Sequence, residues 1–187
     1  MTAQRFTPLT PETMTPDQKR VADNIMSGPR QGMRGPFNAL LRSPELADHA
    51  QKLGAYVRFN TSIPPQLNEL AILLTARHWT AQYEWYAHHR LAMKAGLSPD
   101  IAAAIAAGKR PASMQPDETV VYDFCHEVLE TGQASDKSFK AAVDKFSERG
   151  AIDLIGVIGY YSLVAMVLNV DRVPIPDGGK LPLTALK

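Results

Sequence analysis

Cysteine is almost absent: Cys125 stands alone among 187 residues, so no intramolecular disulfide is possible and a secreted, disulfide-stapled fold has no support. Blocks of one charge are missing too. Formal net charge is +1, and no lysine or arginine run extends to five residues, so the footprint of a nucleic-acid binder is not expected. The opening MTAQRFTPLTPETM holds no apolar run of the signal-peptide kind, and the expected compartment is the cytoplasm. Residues 154–170, LIGVIGYYSLVAMVLNV, carry no formal charge but fall short of the roughly 20 apolar residues a membrane span needs. Tyr160, Tyr161, Ser162 and Asn169 dilute them further, so a core or subunit-interface helix is expected there and no membrane partner. Period-two alternation is never sustained, which argues against strands. HExxH and CxxC are both lacking, and no metal ligand set is expected.

What remains is helix punctuation. A hydrophobic share of 45% with 21% charged residues is that of a folded chain, and the length fits one domain, residues 1–187, with no linker or repeat to divide it. Thr15-Pro16-Asp17-Gln18 is a capping box that opens a helix ending near Gly28. The glycine- and proline-rich stretch 28–35 then reads as a loop. Ser43-Pro44-Glu45 opens a second long helix, with Leu46, Ala50, Leu53 and Val57 as its apolar stripe. A third helix is expected from Pro65 to His78 or Trp79. Others start at Ser98-Pro99-Asp100, at Pro116-Asp117-Glu118 and at Ser135-Asp136, with stops at Gly108, Gly132 and Gly150. The apolar segment makes the last helix, and VPIPDGGKLPLTALK reads as an extended tail. The fold class expected is an all-α helical bundle with a C-terminal tail.

Within the third helix, Leu67, Leu70, Ala71 and Leu74 form one stripe and Ile72, Leu73 and Ala76 another beside it. A helix apolar around most of its girth is buried on most sides. Glu69 points into that layer, poised for proton transfer or buried pairing, unless it is simply solvated near the helix start. In the next segment Ala81, Glu84, Trp85, His88, Leu91, Ala92 and Ala95 share one helical face, while His89, Arg90 and Lys94 fall opposite. Glu84 and His88, four apart, are spaced for a carboxylate–imidazole hydrogen bond suited to general acid–base work. An ordinary helical ion pair has the same spacing. Arg77 offers the planar donor fork that grips a carboxylate, and serves equally as a partner for Glu69 or Glu84.

The stretches GPFNALLRSPELADHAQKLGAYVRFNTSIPP, NELAILLTAR and YEWYAHHRLAMKAGLS, with GYYSLVAMVLNVDRVPIP after them, resemble the carboxymuconolactone decarboxylase family of the alkylhydroperoxidase-D-like superfamily. The most specific part spans residues 35–110. The peroxidase branch uses a glutamate, a Cys-x-x-Cys pair and a histidine. Those positions here are Glu69, Ala81, Glu84 and His88, so the thiols of a disulfide relay are missing. The resemblance to the decarboxylase branch implies a cofactor-independent lyase acting on a small carboxylated lactone or related ring acid. It implies His88 as donor or acid, Glu84 as its orienting partner, Glu69 as a second proton-transfer group, and Arg77, Tyr83 and Trp85 as substrate contacts. It also implies a homo-trimer or homo-hexamer. The competing readings are a non-catalytic or regulatory oligomeric member of the same fold, or a peroxidase-related protein without the redox pair.

Overall fold

The computed structural model describes residues 3–29, 32–176 and 181–185. Among them there are eight helices and no strand: α1 (Pro16–Ser27), α2 (Phe37–Leu40), α3 (Pro44–Phe59), α4 (Pro65–His78), α5 (Gln82–Lys94), α6 (Pro99–Ala106), α7 (Pro116–Thr131) and α8 (Asp136–Asp171). The all-α expectation holds. Five of the helices carry proline in their first turn, where its missing N–H costs nothing. At α1 the box closes both ways: Thr15 Oγ1 accepts from the Gln18 N–H and Gln18 Oε1 accepts from the Thr15 N–H. Gly108 and Gly132 follow α6 and α7 at φ of +68° and +75°, a left-handed conformation that glycine adopts without steric cost.

Helix α4 is the axle of the bundle. Every residue from 67 to 77 is buried, and α5, α6, α7 and α8 all pack against it. Its two adjoining apolar stripes leave no polar side to turn toward water, so the chain surrounds it.

Helix α3 corrects the expected stripe. Its buried face is Ala47, Ala50, Gly54 and Val57, whereas Leu46 and Leu53 are each 47% exposed. Both sets obey helical spacing and share Ala50 and Val57. The smaller side chains win because they let α3 lie close on α1 and α8; a Cβ placed on Gly156 of α8 would sit only 3.7 Å from Val57 Cγ1.

The expected stop at Gly150 is also displaced. Helix α8 breaks at Ser147 (φ 66°, ψ 172°) and resumes as one run to Asp171. A Cβ on Gly150 would fall 2.4 Å from Phe146 Cβ, so this glycine lets the chain turn tightly through the break rather than ending the helix. By length and composition α8 is apolar enough to cross a membrane, but 56% of its most apolar window is buried inside the bundle.

Described residues near both ends of the chain are tied down. Gln4 Nε2 and the Phe6 N–H donate to the fully buried Asp171 carboxylate at 2.8 Å each. In the tail, Gln82 Nε2 donates to the Leu183 carbonyl (2.7 Å) and Gln82 Oε1 accepts from the Leu183 N–H (2.9 Å), while Leu183 itself is buried. The tail expected as extended is thus pinned to α4 and α5 at Leu183 and Thr184; residues 177–180 and 186–187 lie outside the described residues.

Candidate active site

Helix α5 delivers Glu84 and His88 to one face, one turn apart, and α4 delivers Glu69 to the same place. His88 Nδ1 and Glu69 Oε2 are 2.8 Å apart, with both side chains buried. The hydrogen bond therefore runs between helices, not along α5. Among the described residues Glu84 has no hydrogen-bond partner at either carboxylate oxygen, and it is 1% exposed. The expected roles change accordingly: Glu69 orients the imidazole, and Glu84 is a separate carboxyl. The physical reason is that α4 and α5 pack in direct contact, which lets Glu69 meet the ring across the helix–helix interface.

Burial raises the Glu84 pKa well above the ordinary carboxylate range, since no cation or donor compensates the loss of water. The neutral acid is the form this environment favours. The site thus holds a carboxyl kept as an acid beside a histidine whose Nδ1 is engaged, leaving Nε2 for chemistry. Two titratable groups in contrasting environments are what acid–base catalysis requires.

Glu84 and His88 line a cleft of about 570 Å³, within the range that holds a small organic ligand. Tyr160, Tyr161, Val164 and Leu168 of α8 form one wall, and the 32–37 segment forms another. The Tyr161 ring meets His88 edge-to-face at 4.8 Å and 82°, and Tyr160 meets Tyr161 likewise at 5.2 Å. Tyr83 lines the cleft beside Gly35, where a Cβ would come within 3.4 Å of its ring; burial raises the phenol's pKa, with the Gly35 N–H and Arg34 opposing. Arg34, Arg58 and Arg90 line the same space, and none has a carboxylate partner within 4.0 Å among the described residues. Glu84 is the one acidic residue among the described lining. A cleft with three cations and a neutral acid attracts a small anion.

The other expected substrate contacts lie elsewhere. Arg77 is buried and lines a different cleft, with Nη1 donating to the Thr184 carbonyl at 2.8 Å. It meets neither Glu69 nor Glu84: at the buried C-terminal end of α4 it turns toward α7 and the docked tail. Trp85 is 4% exposed, stacks on His89 at 6.0 Å and does not line the His88 cleft. Its neighbours in sequence point into the cleft, but successive helical residues diverge by about 100°, and Trp85 goes to the core. His89 is likewise kept off the cleft. Cys125 is fully buried on α7, where burial pushes its thiol pKa up and disfavours thiolate. Among the described residues, no group of three or more His, Cys, Asp or Glu side chains is placed to hold a metal ion.

Arg34, Arg58, Tyr160 and Tyr161 escaped the sequence reading, and Arg90 was placed on the outer side. The one available signal was the pair of arginines in the glycine-rich stretch 28–35, and nothing in local sequence says that Gly32, Arg34 and Gly35 come to the cleft. Compared with known proteins, the chain matches no protein-family model and no curated protein.

Proposed function

We propose that this chain is a cofactor-independent carboxy-lyase that acts on a small carboxylated lactone or related ring acid by general acid–base catalysis, as its resemblance to carboxymuconolactone decarboxylases implies. The observation that carries the reading is the buried Glu69–His88 hydrogen bond facing an unpartnered, buried Glu84 in an arginine-lined cleft. Arg34, Arg58 and Arg90 take the place first given to Arg77 as carboxylate contacts.

In the reaction the bond from ring carbon to carboxylate breaks and carbon dioxide departs. Its electron pair moves through the ring double bond onto the lactone carbonyl oxygen, leaving a dienolate. His88, held through Nδ1 by Glu69, turns Nε2 to that oxygen as a hydrogen-bond donor. Glu84 supplies the proton that the carbon takes up, once its sealed carboxyl turns into the cleft, and regains one from solvent in that open position. Stabilising the oxyanion is the larger task, because the charge develops away from water.

The test is a carbon dioxide-release screen over carboxylated lactones and β-oxo acids. Turnover on one of them should fall about 10²–10⁴-fold in His88→Ala, the scale of a lost general acid. His89→Ala should change it little, because His89 sits against Trp85 outside the cleft. Equal losses in both variants, or none in His88→Ala, would overturn the assignment. Absence of turnover across the screen would favour the non-catalytic reading.

A further inference from the structure

The bond that holds His88 leaves its other nitrogen idle. Nδ1 lies 2.8 Å from Glu69 Oε2, and Nε2 has no hydrogen-bond partner among the described residues. Unlike the carboxyl oxygens of Glu84, Nε2 is not sealed, and it opens on the cleft that His88 lines. We propose that this cleft also hydrolyses small esters that bear a carboxylate, with water as the nucleophile and Nε2 of His88 as the base that activates it. The proposal shares its site with the lyase reading but does not need that reading to hold.

A general base needs a lone pair that water can reach and a partner that fixes its tautomer. When Nδ1–H donates to the Glu69 carboxylate, the lone pair of the neutral ring falls on Nε2. The same carboxylate stabilises the imidazolium that forms once Nε2 has taken a proton. Glu69 comes from α4 and His88 from α5, and both side chains are buried, so helix packing holds the pair in place. In the lyase reading Nε2 donates to an oxyanion; without that proton the same atom accepts.

The lining decides what the base acts on. Among the described residues of the cleft there is no serine, threonine, cysteine or lysine to take up an acyl group, which leaves water. Nε2 removes a proton from it as its oxygen bonds to the ester carbonyl carbon, and the carbonyl electron pair moves onto oxygen. That pair returns as the bond to the leaving oxygen breaks, and the imidazolium gives its proton to the departing group. One water is consumed, and nothing is oxidised or reduced. Arg34 and Arg90 are exposed and Arg58 is half-buried, so a ligand in the cleft can reach them. Arg58 lies over the Phe59 ring and Arg90 over the Tyr86 ring, contacts that use the face of a guanidinium and leave its edge donors. These cations select an ester that carries its own carboxylate.

The test uses 4-acetoxybenzoate as the probe. Its ester can be hydrolysed, but its carboxylate sits on an aromatic ring and cannot leave through a dienolate, so lyase turnover or its absence does not bear on the outcome. The parent protein should release 4-hydroxybenzoate faster than buffer does. Its kcat/KM should exceed that for methyl 4-acetoxybenzoate about tenfold, the scale of one hydrogen bond to a charged group. His88→Ala should lose about 10²–10⁴-fold, and added imidazole should restore part of that loss beyond the rate of imidazole alone, which a misfolded variant cannot do. Glu69→Gln should lower kcat with KM little changed, and His89→Ala should match the parent. Hydrolysis no faster than buffer, equal rates in the parent and His88→Ala, a His88→Ala loss that imidazole leaves untouched, or no preference for the carboxylated probe would each overturn the proposal. So would a burst of 4-hydroxybenzoate equal to the protein concentration with an acetyl group on the chain by mass, since a side chain would then be the nucleophile.

Discussion

Glu84 carries two opposed consequences in one side chain. Its carboxyl is sealed in the protein with no bonding partner, so its pKa is raised in the folded state but ordinary in the unfolded one. The unfolded chain therefore releases the proton first as pH climbs. Stability from this group is fullest below the unfolded carboxylate pKa, about 4.3, and is lost as pH rises from there toward the raised folded value. Glu84→Gln removes that titration. We expect the melting temperature of the variant to depend less on pH than that of the parent between mildly acidic and neutral conditions. Turnover in the same variant should drop about 10²–10⁴-fold if Glu84 delivers the proton. A parallel pH dependence of melting in both proteins would show that Glu84 titrates normally, and undiminished turnover would remove it from the mechanism.

Between elements, the comparable polar device is Asp153, and its sign is the reverse. It sits buried on α8 and accepts from the Tyr56 hydroxyl of α3 (2.8 Å) and from both the N–H and the hydroxyl of Ser62 (2.7 Å each). Burial pushes its pKa up, but those hydrogen bonds and the Arg149 charge outweigh burial and hold the pKa below the usual value. The stability it contributes is complete above the unfolded aspartate pKa and is lost as pH falls through the depressed folded one. Asp153→Asn should cost about 1–3 kcal/mol at neutral pH, from charge-assisted bonds weakened at a buried site. That penalty should shrink as the medium is acidified, and denaturant melts at two pH values decide it. A penalty that grows in acid would contradict the assignment. The same junction explains why α3 defied its leucine stripe: the small residues approach α8 while Tyr56 reaches across to Asp153, leaving Leu46 and Leu53 outside.

For the molecule as a whole, those leucines join a wider surplus of exposed apolar surface. On α8, Ile152 (66% exposed), Ile155, Met166 and Val170 share one outward face, and Gly159 lies among them with open space where a Cβ would be. Gly156 lies on the inner side and faces Val57 within the chain. An apolar strip along a helix of this length exceeds what single scattered residues explain. We propose that copies of the chain associate through it, in the trimer or hexamer its family resemblance implies. Sedimentation at micromolar concentration should show an oligomer, and Gly159→Trp should shift it toward monomer, because a side chain there starts into open space on the outward face. A monodisperse monomer for the parent protein would refute this.

The sequence by itself determined where most helices begin and where α1, α6 and α7 end, though not the stop expected at Gly150, because capping boxes, first-turn prolines and closing glycines act on their neighbours within a few residues. It also determined that α4 would be buried and that Glu84 and His88 would share a face, since helical periodicity needs no tertiary knowledge. The tertiary structure alone decided which of two equally periodic faces α3 buries, because that choice rests on how closely another helix can approach. It decided too that His88 bonds to Glu69 rather than Glu84, that Arg77 turns away, and that Arg34 and Arg58 come to the cleft. Each of these depends on contacts between residues distant in the chain, about which local spacing holds no information.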